Sequence, residues 1–335
     1  QSLDVREIGR RLEADALVEG LVRKAGSRLR ISVQLVDGRS GLQLWSGSYD
    51  RELEDVFAIQ EEIASHIVRA LQVTMQNGEA KVKIRKATTD VQAYDFYLRG
   101  REYLYQLTRR SLEFARQVFA RAAEIDPQCA LAYAGAADAC SFLCMWFDRS
   151  EELLAEADAM SRRAIEMDPD LAEGHAAHGL ALSLNRHYDE AAAAFERATA
   201  LDPTLFEAYY FHGRDATAQG HLEQAAELFR RANEVRPEDY QTLFLRAQAL
   251  RGLGRDDEAR IVAERGIVTA ERHLDLFPED TRALYLGSAA LVILGQVDRG
   301  LEWAQQAATL DPEEEGMLYQ LACIYALAGD TEQAI

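Results

Sequence analysis

From about residue 91 onward, apolar residues recur every three or four positions, the period of amphipathic helices. Each helical run is short and ends at a break marked by glycine or proline. The first 75 residues follow another rhythm. "ALVEGLVRK", "RLRISVQLVD" and "LQLWSGSY" alternate with a period of two and read as strands. Leu29, Ile31, Val33 and Leu35 take one face, and Arg28, Arg30, Ser32 and Gln34 take the other. "AGS" and "DGRSG" supply hairpin turns. A short helix, "LDVREIGRRL", precedes them; a second, from Val56, puts Ile59, Ile63, Ile67 and Leu71 on one face. The pattern therefore predicts three antiparallel strands with two helices, followed by a long helical array.

The array is periodic. Proline recurs in one setting at Pro127, Pro169, Pro203, Pro237, Pro278 and Pro312, and three of the five intervals are 34 residues. A period near 34 with two helices per unit is the tetratricopeptide signature. Small residues (Gly179, Ala191 and Ala198, then Gly213, Ala225 and Ala232) fall where helices must approach closely, with Phe195 and Phe229 supplying bulk. Gly220, Gly254, Gly295 and Gly329 permit the turn within a unit, and each proline ends a second helix. One pair cannot bury its stripe alone, so neighbours must stack.

Two intervals are long. One excess falls in "EARIVAERGIVTAERHLDLF" and predicts a second helix protruding by about two turns. The other falls around "CMWFDRSEE", where Met145, Trp146 and Phe147 read as a loop tip that plugs a neighbouring element or meets a ligand. "TDVQ" at 89–92 reads as a capping box opening the first repeat helix. The last unit stops at "GDTEQAI", so either the parent chain continues or the end frays.

The expected fold is mostly α: a right-handed tetratricopeptide-repeat superhelix behind a small, amino-terminally truncated α+β domain. Residues 1–75 form that domain, 76–90 a basic linker, and 91–335 about six full repeats plus a partial seventh.

Charge narrows the function. The net charge is −19, yet residues 1–86 hold 14 basic and 13 acidic groups. The excess therefore lies in the repeats, where every basic residue is arginine. Nucleic-acid binding by the repeats is excluded on this ground, because phosphates would be repelled. An acidic array stays soluble; an acidic groove also attracts a basic partner. The linker "QNGEAKVKIRKAT" carries Lys81, Lys83, Arg85 and Lys86, and reads as a solvated connector or a segment that docks on the acidic repeats.

No pattern of catalytic residues is apparent. Cys129, Cys140, Cys144 and Cys323 form no metal-ligand pattern, and the turn spacing of Cys140 and Cys144 reads as buried packing. His175 and His178 read as packing residues, and "DPEEEG" as an acidic helix start. The sequence carries no phosphate loop, nucleophile elbow or zinc-protease motif, and no run of 18 apolar residues. No cofactor, metal or catalytic residue is expected, and no membrane span in this segment.

One stretch carries a resemblance. "REIGRRLEADALVEGLVRKAGSRLRISVQLVDGRSGLQLWSGSYDRELEDVFAIQEEIA" closely resembles the TolB-type amino-terminal-like domain of bacterial signalling proteins, over residues 2–71. That resemblance implies tetratricopeptide repeats directly behind it and, upstream, a class III adenylate or guanylate cyclase or a winged-helix DNA-binding output domain. It also implies that Gln1 lies inside the domain, after a first strand and helix.

The expected function is a non-catalytic regulatory and protein-interaction region of such a protein; a stand-alone scaffold is the alternative. Aligning units on Gly179 and Gly213 places Tyr210, Phe211, Arg214, Phe244, Gln248, Arg251 and Tyr285 toward the concave groove that first helices line. Aromatics interleaved with arginine suit a protein or peptide with apolar anchors. The lysine and asparagine clamp of chaperone-binding repeats is missing there. A homodimer is open. The expected location is the cytoplasm, with the periplasmic part of a membrane-anchored parent as the alternative.

Overall fold

A computed structural model of the protein describes residues 5–11, 14–26, 28–52, 59–60, 62–64, 66–67, 88, 90–310 and 315–329. The chain divides into two compact units, Gln1–Asp95 and Phe96–Ile335.

In the first unit, helix α1 (Val5–Arg11) precedes strands β1 (Ala16–Ala25), β2 (Arg28–Asp37) and β3 (Gln43–Glu52). They form one antiparallel sheet in the order β1-β2-β3. The two-residue alternation decides the faces: Leu29, Val33 and Leu35 are buried, whereas Arg28, Arg30 and Ser32 are exposed. A register shift between Leu35 and Val36 lets both of these neighbours be buried. The second hairpin is pinned by Asp37, whose Oδ1 accepts from the Arg39 and Ser40 amides and the Ser40 hydroxyl. Of the helix expected from Val56, the described positions are helical, with Ile59 buried and Tyr49 Oη 2.8 Å from His66 Nδ1. Leu71 and residues 76–87 of the basic linker lie outside the described residues.

From Val91 onward the chain is a run of antiparallel helix pairs, which after Asp95 make up the second unit. They are α2 (Val91–Tyr105) with α3 (Arg109–Ile125), α4 (Ala130–Trp146) with α5 (Glu151–Met167), and α6 (Ala172–Leu184) with α7 (Tyr188–Leu201). There follow α8 (Phe206–Ala218) with α9 (Leu222–Val235), α10 (Tyr240–Gly252) with α11 (Asp256–Leu276), and α12 (Thr281–Ile293) with α13 (Val297–Leu310). Helix α14 (Glu315–Ala328) is the last among the described residues. The cap of α2 is Asp90, which accepts from the Gln92 and Ala93 amides, so the helix starts one residue later than the "TDVQ" spacing predicts.

Pairing rests on rings set over glycine. A Cβ on Gly179 would lie 2.8 Å from the Phe195 ring, and one on Gly213 would lie 2.8 Å from Phe229. Large aromatic bulk on the second helix thus occupies space that the first helix leaves empty. In the α10/α11 pair the arrangement is inverted: Phe244 stands on the first helix and Gly266 on the second, where a Cβ on the glycine would lie 2.7 Å from the ring.

The extra residues of the two long units form helix. Helix α11 has 21 residues, against 14 in α7 and α9, which is the predicted protrusion of two turns. The other insertion lengthens both of its helices: α4 and α5 have 17 residues each, against 13 in α6 and 14 in α7. Met145 and Trp146 are therefore the last residues of α4 rather than a loop tip, and only Phe147 follows as its cap.

After most first helices the turn takes a left-handed residue. Gly220, Gly254, Gly295 and Gly329 supply it at φ of 78°, 73°, 82° and 82°. In the α6/α7 turn the same place is held by Arg186 at φ 64°. A side chain in that region costs about 1–2 kcal/mol, partly offset by the chain entropy a glycine loses. Arg186→Gly is expected to stabilise the array by about 0.5–1 kcal/mol, and Gly220→Ala to destabilise it by a similar amount. Thermal unfolding of the two variants beside the wild type reads both signs.

Candidate functional site

The first helices of successive pairs pack on one another, α4 on α6, α6 on α8, α10 on α12 and α12 on α14. They form the inner wall, and their free stripe is the candidate surface. Three positions on α4, Asp138, Phe142 and Trp146, are spaced four residues apart and so share one face. The Phe142 ring lies 4.9 Å from the Trp146 ring and 5.4 Å from that of Phe211 on α8. The Trp146 ring receives the Arg282 guanidinium of α12 at 4.3 Å. A side chain of the second helix pair thus touches one of the sixth. The extra turn of α4 is what carries Trp146 that far.

Around this bridge the expected residues fall into four groups. Tyr210, Phe211, Arg214 and Tyr285 belong with it. Tyr210 is buried, donates to Gln241 Oε1 at 3.1 Å and accepts from Arg214 Nη1 at 3.3 Å. Phe211 lies at 5.0 Å from Tyr210, edge to face. Tyr285 is half-buried; burial pushes its hydroxyl above the usual range, with Arg282 acting in the opposite direction. Gln248 and Arg251 are exposed on α10 and take no part in the bridge. Phe244 is in the core, 2% exposed, because the inverted ring-over-glycine pairing turns it toward α11. Phe147 stands apart: Arg109 covers its ring at 5.5 Å and donates to its carbonyl at 3.1 Å.

Sequence reasoning missed Phe142, Asp138, Gln241 and Arg282. The repeat spacing holds a signal for two of them. Glu173, Glu207, Gln241 and Arg282 occupy one repeat position, the second residue of α6, α8, α10 and α12. Arg282 is fixed there by the cap of α12, where Asp280 Oδ1 accepts from the Arg282 and Ala283 amides at 3.0 and 3.1 Å. Asp280 Oδ2 in turn meets His273 Nε2 at 2.7 Å and the Tyr240 hydroxyl at 2.9 Å.

The wall is electrically uneven. Asp138 keeps some accessible surface, yet burial, then Glu207 and Glu173, push its carboxyl well above the usual range. Glu207 is paired with Arg236 at 3.1 Å, and that guanidinium also lies 3.8 Å from the Phe206 ring centre.

Elsewhere the residues weighed for metal binding have structural partners. His175 Nε2 lies 2.9 Å from the Pro169 carbonyl, and His178 Nδ1 lies 3.0 Å from Ser161 Oγ. Cys140 and Cys144 are buried in α4, whereas Cys323 is exposed. No group of three or more His, Cys, Asp or Glu suited to a metal occurs among the described residues. No helix among them is long and apolar enough to cross a membrane.

A family model described as "Tetratricopeptide repeat" matches residues 172–205, the α6/α7 pair and the proline break behind it. "Putative adenylate cyclase 3" of Rhizobium meliloti (strain 1021) is 37% identical over 193 residues. That match covers 57% of this chain and 33% of the relative, so the chain spans about a third of the length of the curated relative it matches. Among solved structures, the human IFIT1 dimer with PPP-AAAA aligns with a TM-score of 0.57 at 14% identity, covering 84% of this chain and 66% of that one. PilW, a widely conserved type IV pilus biogenesis factor, aligns with a TM-score of 0.46 at 21% identity over 67% of this chain and 96% of its own. The chain contains tetratricopeptide repeat sequence, and its second unit stacks helix pairs of that fold.

Two expectations follow. A cation–π contact of this kind contributes about 0.5–1 kcal/mol where partly exposed. In unfolding measurements on Trp146→Ala, Arg282→Ala and the double variant, the losses should therefore fall short of additivity by about that amount; strict additivity would mean the bridge carries no energy. The second concerns Asp138. Its folded-state pKa is raised, so the penalty is absent below the unfolded value of about 4 and grows as pH rises toward the folded value. Asp138→Asn should raise Tm at pH 7.5 and change it little near pH 3.5; an equal gain at both would contradict the desolvated carboxylate.

Proposed function

We propose that this chain is the partner-sensing region of a bacterial signalling protein whose output is nucleotide cyclisation. In this reading, residues 2–71 are a TolB-type amino-terminal-like domain and the repeats bind a protein or peptide segment along their inner wall. The single observation that carries the reading is the 37% identity to a putative adenylate cyclase. The chemistry of the wall supports the binding half: the partly exposed rings of Trp146 and Tyr285 offer apolar anchors, with Tyr210 and Phe211 buried beneath, and Arg214 and Arg282 offer donors among them. The chain itself performs no catalysis in this scheme. Binding shifts the repeats, and the small domain passes that state to an output domain elsewhere in the parent, a cyclase rather than a DNA-binding module. The compartment that follows is the cytoplasm, where the nucleotide is; assembly as a homodimer would bring two output domains together.

The test compares the complete gene product with the 335-residue chain in an assay for cyclic AMP formation from ATP. The complete product should form cyclic AMP and the chain alone none. A complete product without cyclase activity removes the output half of the reading. Turnover of ATP by the chain alone overturns its non-catalytic role.

A further inference from the structure

The inner wall has a seam. From α4 to α14 each first helix packs on the next, except that α8 and α10 barely touch. On the outer side the same two pairs stay joined. Helix α9 packs on α10, a Cβ on Gly252 of α10 would lie 2.5 Å from Leu222 of α9, and Arg255 pairs with Glu223 at 2.9 Å. A joint that is packed on one side and open on the other has the geometry of a hinge, with α9 and α10 at its pivot.

Side chains cross the open side. Tyr210 of α8 donates to Gln241 of α10 at 3.1 Å, and the Trp146 ring of α4 receives Arg282 of α12 at 4.3 Å. The first contact lies at the seam itself. The second joins a helix well before the seam to one beyond it, so it acts with the longer lever arm. Trp146 reaches that place because α4 has 17 residues against 13 in α6. Its ring is backed by Phe142 at 4.9 Å, which lies 5.4 Å from Phe211. Arg282 makes no ion pair among the described residues, whereas Arg163, Arg230 and Arg255 on the outside each hold a carboxylate. Aromatic contact therefore sets where Arg282 rests, and such a contact is weak enough to open and re-form.

With the contact made, Phe142, Tyr210 and Phe211 are buried. A partner that anchors on those rings needs the wall opened first. We propose that the repeats from α4 onward are two blocks, α4 to α9 and α10 to α14, hinged at the seam and held closed by Trp146 on Arg282 as an intramolecular latch. Release of the latch uncovers the rings behind it and swings the second block away from the first. This inference deepens the binding reading by giving the wall a closed and an open state. It rests on that reading for what the opening serves, while the latch is a property of the chain alone.

The experiment measures spin-label distances by pulsed electron paramagnetic resonance on the full 335-residue chain carrying Cys323→Ser, since the other three cysteines are buried. One label pair, Glu152→Cys with Glu279→Cys, spans the seam; a second, Glu152→Cys with Asp189→Cys, lies within the first block, and all three positions are exposed. Trp146→Ala and Arg282→Gln should each shift the spanning distance to longer, broader values and leave the within-block distance unchanged. Trp146→Tyr, which keeps a ring for the cation, should stay near the wild-type distribution. Should Trp146→Ala fail to fold, Arg282→Gln carries the test, because it removes the cation and keeps the backbone amide that Asp280 caps. A spanning distance that neither variant moves overturns the latch, and equal broadening of both label pairs overturns the hinge in favour of general loosening. No partner or nucleotide is present, so a failed latch leaves the proposed output standing, and a parent without cyclase activity leaves the latch standing.

Discussion

The structure depends on one steric arrangement, a large ring seated where the facing helix has no side chain. Phe195 over Gly179 and Phe229 over Gly213 set how closely two helices of a pair approach. A buried phenylalanine is worth about 3–5 kcal/mol against alanine. The many arginine–glutamate pairs along the outside, such as Arg163–Glu166 and Arg255–Glu258, are worth under about 1 kcal/mol each. The rings therefore hold the stack, and the ion pairs decorate it. It follows that a ring spent between helices is not available to a partner. Phe244 is spent in this way, packed over Gly266 in the inverted pair. Tyr210 and Phe211 are buried as well, against side chains of other first helices, and the partly exposed Trp146 and Tyr285 are the rings left on the wall.

Given such a stack, the length of a first helix becomes a functional variable. Helices α6, α8, α10 and α12 have 13 residues each, and α4 has 17. One added turn is about 6 Å of reach. It puts Trp146 on Arg282 and connects the second and sixth pairs without any contact between the helices' backbones being needed. Nearest-neighbour stacking makes a repeat array soft along its length. A side-chain contact between distant pairs restrains that softness at small energetic cost.

The array was legible in the sequence because its constraints are local and repeated. Proline breaks, turn glycines and ring-over-glycine pairs each recur at a fixed offset, and the two-turn lengthening of α11 follows directly from its residue count. The strands were legible for the same reason: Leu29, Val33 and Leu35 obey the pleat. What escaped was set by relations between units. Periodicity assigns Phe244 and Tyr210 the same place, and nothing in one unit tells that Gly266 has moved the cavity to the other helix. Met145 and Trp146 read as a loop because the insertion interrupts the period, whereas the backbone absorbed it by extending helix. Asp138 was missed because a lone acid in an alanine-rich helix looks solvated until three helices surround it.

The acidic character of the repeats has two physical origins that composition merges. On the outside, carboxylates sit in water, many within reach of an arginine three or four residues away, and at physiological salt their influence fades within about 8 Å. Their contribution is solubility. Asp138 instead lies where burial, with Glu207 and Glu173 adding like charge, pushes its carboxyl well above the usual range. Water screens the outer carboxylates and hardly reaches this one, so the same residue type is nearly free of cost on the outside and costly on the inside, and the difference is burial alone.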